Sequence, residues 1–303
     1  ARVMIPLPKE LKYQFNNDAF VYAYLAHVMY LVDAFKPDHI GFGIENNIML
    51  TKIVETAATP DSGDDIPYEA WIDFTKAMRR IHAALKTAYP QKKLFYSLSA
   101  DDYNYPRNFD FGSSQAAYNL LIKAINHTKS PYLYNRYVTG TVWQREHLKL
   151  ASDFNDLIAI STYPFMAYGT NVAGIPADYL TRVREVAPSK PFAVAETGYI
   201  AEPLVYPDPL PAGTTPSLFV DGNTTAQAQY VSRLLADATK QNALFVNWFI
   251  VRDYDDMWKQ VLVHLPGGET NRIWRDIGLF DGNGNSRLSL FLWHTYLWRG
   301  VQP

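Results

Sequence analysis

Two carboxylates stand where short apolar runs end: Glu45 directly after HIGFGI (39–44) and Glu196 directly after PFAVA (191–195). A strand covered on both faces reads as a continuous apolar run, and a carboxylate at its carboxyl end faces the cleft of an α/β fold on rigid backbone. Two such carboxyls on opposite sides of a cleft are able to cleave a glycosidic bond. One protonates the departing oxygen; the other attacks the anomeric carbon or activates water. Their surroundings must then push the two pKa values apart, so that one stays protonated near neutral pH. The plainer alternative for either residue alone is a solvated rim glutamate or an ion pair.

The elements that would position these groups are legible as alternating patterns. Apolar runs without period-two alternation cover 39–44, 93–99, 157–161, 192–195 and 244–251, with a shorter one, VMIPL, at 3–7. Helical spacing appears in 68–89 through Trp71, Phe74, Met78, Ile81 and Leu85, and in a preceding segment through Phe20, Tyr24, Val28, Leu31 and Phe35, closed by Lys36-Pro37. Further helices are expected over 114–127, 177–186, 225–241 (capped by Thr224 or Thr225) and 288–298. Strand and helix alternate throughout with no Ser/Gly-rich or charged linker, which predicts one α/β domain over 1–303 with a parallel sheet. Alternation alone does not separate a barrel from a doubly wound sheet. Loops after strands are long (45–66, 100–112, 197–222, 252–285), whereas helix-to-strand links such as 36–38 and 188–190 are short. Elaboration is therefore concentrated on the rim where α/β folds bind ligands. The stretch 201–216, with five prolines, is expected as an extended wall without regular structure.

Composition removes several classes. A net charge of −2, from 28 Lys plus Arg against 30 Asp plus Glu, carries no basic block for nucleic acid or an anionic membrane. The absence of Cys excludes a disulfide scaffold, a zinc ribbon and a thiol nucleophile, without fixing the compartment. No apolar run approaches the roughly 18 residues of a membrane span, and residues 1–10 lack the charged-then-apolar order of a signal peptide. The seven His have no ligand spacing, and no GxSxG or Walker pattern occurs, so no metal and no cofactor is expected. DGNGN at 281–285 starts like a calcium loop but meets Leu292 where the twelfth-position Glu belongs; it is read as a tight turn. Sequons at Asn126 and Asn223 are weak signals. Aromatics make up 15%, with 21 Tyr and 7 Trp, which suits a cleft that stacks sugar rings as well as ordinary packing.

Taken together, GFGIENN (41–47), STYP (161–164), PFAVAETGY (191–199), NWF (247–249) and IGLFDGNGNSR (277–287) resemble the successive strand ends of clan A glycoside hydrolases, nearest the endo-β-1,4-galactanase-like families. The resemblance implies a TIM-type barrel and a retaining mechanism on a carbohydrate substrate, with Glu45 as acid/base and Glu196 as nucleophile. It also implies that Tyr163 orients Glu196 by a hydrogen bond and that Trp248 forms the floor of the sugar subsite. A turn-shaping Tyr163 and a core Trp248 are the alternatives.

Two departures qualify that likeness. The clan usually places Asn before its acid/base, where it holds the sugar 2-hydroxyl; here Ile44 stands there, and Asn46 or Asn47 is the substitute. If Glu45 ends strand four and 3–7 is strand three, the first two strands have no counterpart, leaving about six strand-helix units in an apparently incomplete barrel. Either the N-terminus lies outside this sequence or another chain, in the simplest case a second copy, covers the open edges. Asp101, Asp253 and Trp258 are further candidates for sugar contact, against readings as a solvated loop residue and as parts of a helix-capping cluster. The leading expectation is a retaining hydrolase of β-linked oligo- or polysaccharide, secreted or periplasmic. Its rivals are a non-catalytic carbohydrate-binding degenerate barrel and an assembly subunit.

Overall fold

The computed structural model describes residues 14–50, 68–101, 103–104, 148–149, 152–206, 218–265 and 272–298. The expected strand at 3–7, the helix at 114–127 and the sequon at Asn126 lie outside them. The described residues fall into two compact units. The first comprises chain up to Ser161 together with Thr181–Ala193; the second comprises Thr162–Leu180 and chain from Val194 onward.

In the first unit, helix α1 (Asp18–Phe35) begins where the Asn17 side chain accepts the N–H groups of Ala19 and Phe20. It ends where Lys36 turns left-handed (φ 50°) before Pro37. The buried stripe is Val21, Leu25, Val28 and Val32, whereas Phe35 is 78% exposed. Of the expected stripe Phe20, Tyr24, Val28, Leu31 and Phe35, Val28 is buried and the others are displaced by about one position. The helix is apolar nearly all round, so spacing could not select its inner face. Tyr24 still turns its tip inward, donating to the Phe42 carbonyl at 2.6 Å. Helix α2 (Tyr68–Ala88) matches its pattern better: Trp71, Met78, Ile81 and Leu85 are buried. Each such side chain contributes about 1.5–3 kcal/mol relative to exposure.

The strands of this unit are short and parallel. β1 (His39–Gly41) pairs with β2 (Lys93–Phe95), and β3 (Ser97–Ser99) pairs with β4 (Ile158–Thr162). The run 93–99 is split at Tyr96 because its N–H goes to the Asn155 side chain at 3.3 Å rather than to a neighbouring strand. β4 is buried along its whole length, as its unbroken apolar run requires.

Strand β5 (Phe192–Thr197) leads into the second unit, which also holds a one-turn helix α3 (Phe165–Tyr168). Residues 204–206 and 218–220 form an antiparallel pair, β6 (Leu204–Tyr206) and β7 (Leu218–Val220), so the expected irregular wall begins as a hairpin strand. Helix α4 (Thr224–Lys240) is capped by Asn223, not by a threonine: its side chain accepts the Ala226 N–H at 2.7 Å. β8 (Val246–Trp248) runs parallel to β5 and stops early, because the Ile250 and Val251 carbonyls turn to the N–H groups of Leu279 and Phe280. Helices α5 (Asp255–Gln260) and α6 (Leu288–Leu297) complete the unit.

The expected helix over 177–186 is instead a series of i→i+3 turns, with a 3₁₀ segment at Arg182–Val186. Just before this stretch, the Arg233 guanidinium donates to the carbonyls of Val172, Ile175 and Pro176. The turn at 281–285 forms as expected. The Asp281 carboxylate accepts from the Asn285 side chain and from the N–H groups of Asn283 and Asn285, which hold its pKa below the usual carboxylate range. Among the described residues, the parallel strands do not close into a barrel, and no helix is long and apolar enough to cross a membrane.

Candidate active site

Glu196 is carried by the last turn of a buried strand. Phe192, Ala193 and Val194 are fully covered, after which β5 emerges and Glu196 becomes partly exposed. Alternation places its neighbour Thr197 on the opposite side, where the hydroxyl meets the Thr162 carbonyl and the Tyr230 hydroxyl, both at 2.8 Å. Tyr163, which follows β4, donates its phenol to Glu196 Oε1 at 2.5 Å. That ring is only 4% exposed and is held edge-on against Trp274, with centroids 4.4 Å apart, and against Phe165. Gly198 permits the close approach, since a Cβ there would lie 2.6 Å from the Phe249 carbonyl and 3.1 Å from the Tyr163 ring. The phenol, held against Trp274 and Phe165, thus engages one oxygen of the Glu196 carboxyl.

Trp248 is the register partner of Thr197, and its indole N–H donates to the Ile277 carbonyl at 2.9 Å. Its ring lies near Tyr230 of α4 and Trp293 of α6. Trp248 is half-buried and packs on the α4 side of β8. The aromatic beside Tyr163 is Trp274, which the sequence reading missed. It sits in a long rim loop with no period to mark it.

Asp253 and Trp258 are engaged within the second unit. Arg287 grips Asp253 through both oxygens at 3.0 and 2.8 Å, and the Gly278 N–H adds a third bond at 2.7 Å. Burial pushes the Asp253 carboxyl up to about 6, against the pull of Arg287 and Gly278. A buried pair of this kind costs about 3–5 kcal/mol to break from one side. Glu202, Asp253 and Asp276 bring carboxylate oxygens within 4.8 Å of one another, but Arg287 and Arg275 occupy them, so the cluster reads as an ion-pair network. The Trp258 ring has the guanidinium carbons of Arg272 and Arg275 at 5.7 and 5.5 Å. Asp253 is thereby committed to its ion pair, whereas the buried Trp258 Nε1 has no hydrogen-bond partner.

Glu45 belongs to the first unit. Its backbone is left-handed, with φ 48°, a conformation that costs a non-glycine residue about 1–3 kcal/mol and that clusters at functional positions. Asn46 and Asn47, the two candidate replacements for the missing Asn, differ sharply. Asn47 is fully buried and spends its amide on the backbone of Ser99, accepting from its N–H at 2.7 Å and donating to its carbonyl at 2.9 Å. Asn46 is 8% exposed and its Nδ2 has no hydrogen-bond partner, so of the two it is the amide with capacity left. Asp101 lies in a helical segment, half-buried, and not in the open loop that the plainer reading required.

The arrangement of parallel strands and helices is similar to the TIM-barrel fold of solved structures, within the described residues an incomplete one. The solved structures that share it include the GH5_18 protein of Streptomyces cattleya in complex with Manβ1-4GlcNAc, at a TM-score of 0.55 and 13% identity over 98% of this chain. Two others are the GH5_18 protein of Bifidobacterium longum in complex with the same disaccharide (TM-score 0.51, 13% identity, 98% of this chain) and the exo-β-1,4-mannosidase Op5Man5 of an Opitutaceae bacterium (0.51, 12%, 96%). The chain spans 60%, 58% and 42% of those three chains. No protein-family model matches the sequence, and no curated protein matches it.

Proposed function

We propose that this chain carries the catalytic centre of a retaining glycoside hydrolase acting on β-linked oligo- or polysaccharide. Glu196 is the nucleophile and Glu45 the acid/base. The observation that carries the reading is the Tyr163 phenol bound to Glu196 at 2.5 Å, at the carboxyl end of a buried parallel strand. A nucleophilic carboxylate must be aimed, and a donor held by Trp274 and Phe165 supplies that condition. The fold likeness adds weight, and the β-mannosyl compounds named with those structures put β-mannosides first in a substrate panel.

In the first step Glu196 attacks the anomeric carbon, the bond to the departing oxygen breaks, and Glu45 gives that oxygen its proton. Water, deprotonated by Glu45, then displaces Glu196. Two inversions give net retention. Proton NMR during hydrolysis of a β-aryl glycoside therefore shows the β-hemiacetal first, before mutarotation; an α-first product overturns the nucleophile assignment. Tyr163→Phe keeps the ring contacts and removes one hydrogen bond to a charged group, a change of about 1.5–3 kcal/mol. It is expected to lower kcat roughly 10- to 100-fold with a much smaller change in KM. A Tyr163→Phe enzyme with normal kcat would show that the phenol does not tune the nucleophile.

A further inference from the structure

The strained backbone at Glu45 raises the question of what holds it, and one residue of the neighbouring strand supplies several of the bonds. The edge of β1 continues past Gly41 by pairing with the chain around Ser97: the Phe42 N–H reaches the Phe95 carbonyl at 2.9 Å, and the Ser97 N–H reaches the Gly43 carbonyl at 2.9 Å. Regular pairing then fails, because Glu45 is left-handed and a left-handed residue swings its N–H out of the ladder. That N–H meets the Ser97 side chain instead, donating to Oγ at 2.9 Å. One residue further on, the Asn46 N–H returns to a backbone acceptor, the Ser97 carbonyl at 3.0 Å. Ser97 thus grips the segment through its N–H, its carbonyl and its hydroxyl, and the hydroxyl contact falls on the strained residue.

The surroundings make that hydroxyl hard to replace. Ser97 is 2% exposed, and its Oγ lies 3.3 Å from the Oγ of Ser161, which is fully buried on β4. A bridging water therefore has little room to take over as acceptor, and a buried amide left without one costs about 1–3 kcal/mol. That is comparable to the cost of the left-handed conformation itself, so the single bond is large enough to decide whether Glu45 keeps it.

We infer that Ser97 is a positioning residue for Glu45: its hydroxyl stands in for a ladder acceptor and fixes the backbone from which the acid/base carboxyl is presented. The inference rests on the reading of Glu45 as acid/base. Ser97 touches no reacting atom. Its effect is on the placement of the proton donor, where displacements near 1 Å lower rates by about 100-fold.

The test compares substrates that need protonation with one that does not. Ser97→Ala is expected to lower kcat/KM roughly 10- to 100-fold on an alkyl or unsubstituted aryl β-glycoside. On the dinitrophenyl glycoside, whose leaving group departs unaided, the loss stays within about threefold. Ser97→Thr, which keeps the hydroxyl, restores the first value, and Ser161→Ala leaves the acceptor in place and changes neither substrate by more than about threefold. Ser97→Cys holds the volume while weakening the acceptor, and gives the same selective loss should the alanine variant not fold. Equal losses on both substrates in the Ala and Cys variants, or none, overturn the inference. Glu45→Ala measured alongside separates the two levels. If it fails to discriminate between leaving groups, the acid/base reading falls; if it discriminates and the Ser97 variants do not, only the positioning role falls.

Discussion

Glu196→Ala lowers the hydrolysis of a β-aryl glycoside by about 10⁴-fold or more, and sodium azide restores part of the rate while changing the product. The magnitude follows from losing the group proposed to form the covalent intermediate, since removal of a nucleophile elsewhere leaves only the contribution of binding and charge stabilisation. At about 1.4 kcal/mol per tenfold, the loss corresponds to roughly 5.5 kcal/mol of barrier. Tyr163 does not substitute, because its phenol is buried and packed edge-on against Trp274, and nothing in that arrangement turns its oxygen toward an anomeric carbon. Truncation to alanine empties the volume of a carboxylate at the end of β5, and azide is an anion small enough to enter it. Attack from that position is a single displacement, so the product is the α-glycosyl azide. Full activity in Glu196→Ala, or rescue that gives the β-azide, would remove Glu196 from the nucleophile role. The fold tolerates the change: Glu196 is partly exposed, and the strand beneath it is anchored by Phe192 and Val194.

The strand positions were legible because burial on both faces demands uninterrupted apolar runs, and 157–161 and 192–195 overlap β4 and β5 almost completely. The pairing of Tyr163 with Glu196 was reachable from the resemblance, since both residues follow strand ends in recognisable motifs. Facing was less accessible. In α1 an all-round apolar sequence hid the inner stripe, and in β8 the parity of Trp248 depends on a register irregularity between Val194 and Thr197 that no local pattern announces. Long-range partners were invisible for a different reason. Trp274 meets Tyr163 across more than a hundred residues, and Arg287 reaches Asp253 across 34. The commitment of Asn47 to Ser99, which singles out Asn46, likewise spans 52 residues. Such contacts are set by tertiary packing, for which residue type supplies only a list of candidates.

Glu45→Ala gives the complementary pattern, and the two variants together identify both carboxylates. Protonation of the departing oxygen matters in proportion to how poorly it leaves. For an alkyl or unsubstituted aryl β-glycoside, kcat/KM is expected to fall about 10²- to 10⁴-fold, the usual contribution of a general acid. For the dinitrophenyl glycoside, glycosylation needs no acid, and kcat/KM changes by less than about tenfold. The second step still suffers, because Glu45 no longer deprotonates water, so the covalent intermediate accumulates and KM falls with kcat. Azide needs no base and therefore accelerates this variant as well, but it attacks the glycosyl-enzyme, and a second inversion yields the β-azide. The anomer of the azide product thus separates the roles: α when Glu196 is missing, β when Glu45 is missing. Loss of the same size on both leaving groups would assign Glu45 to the fold and not to the chemistry. Its left-handed backbone and its latch to Ser97 would then require another explanation.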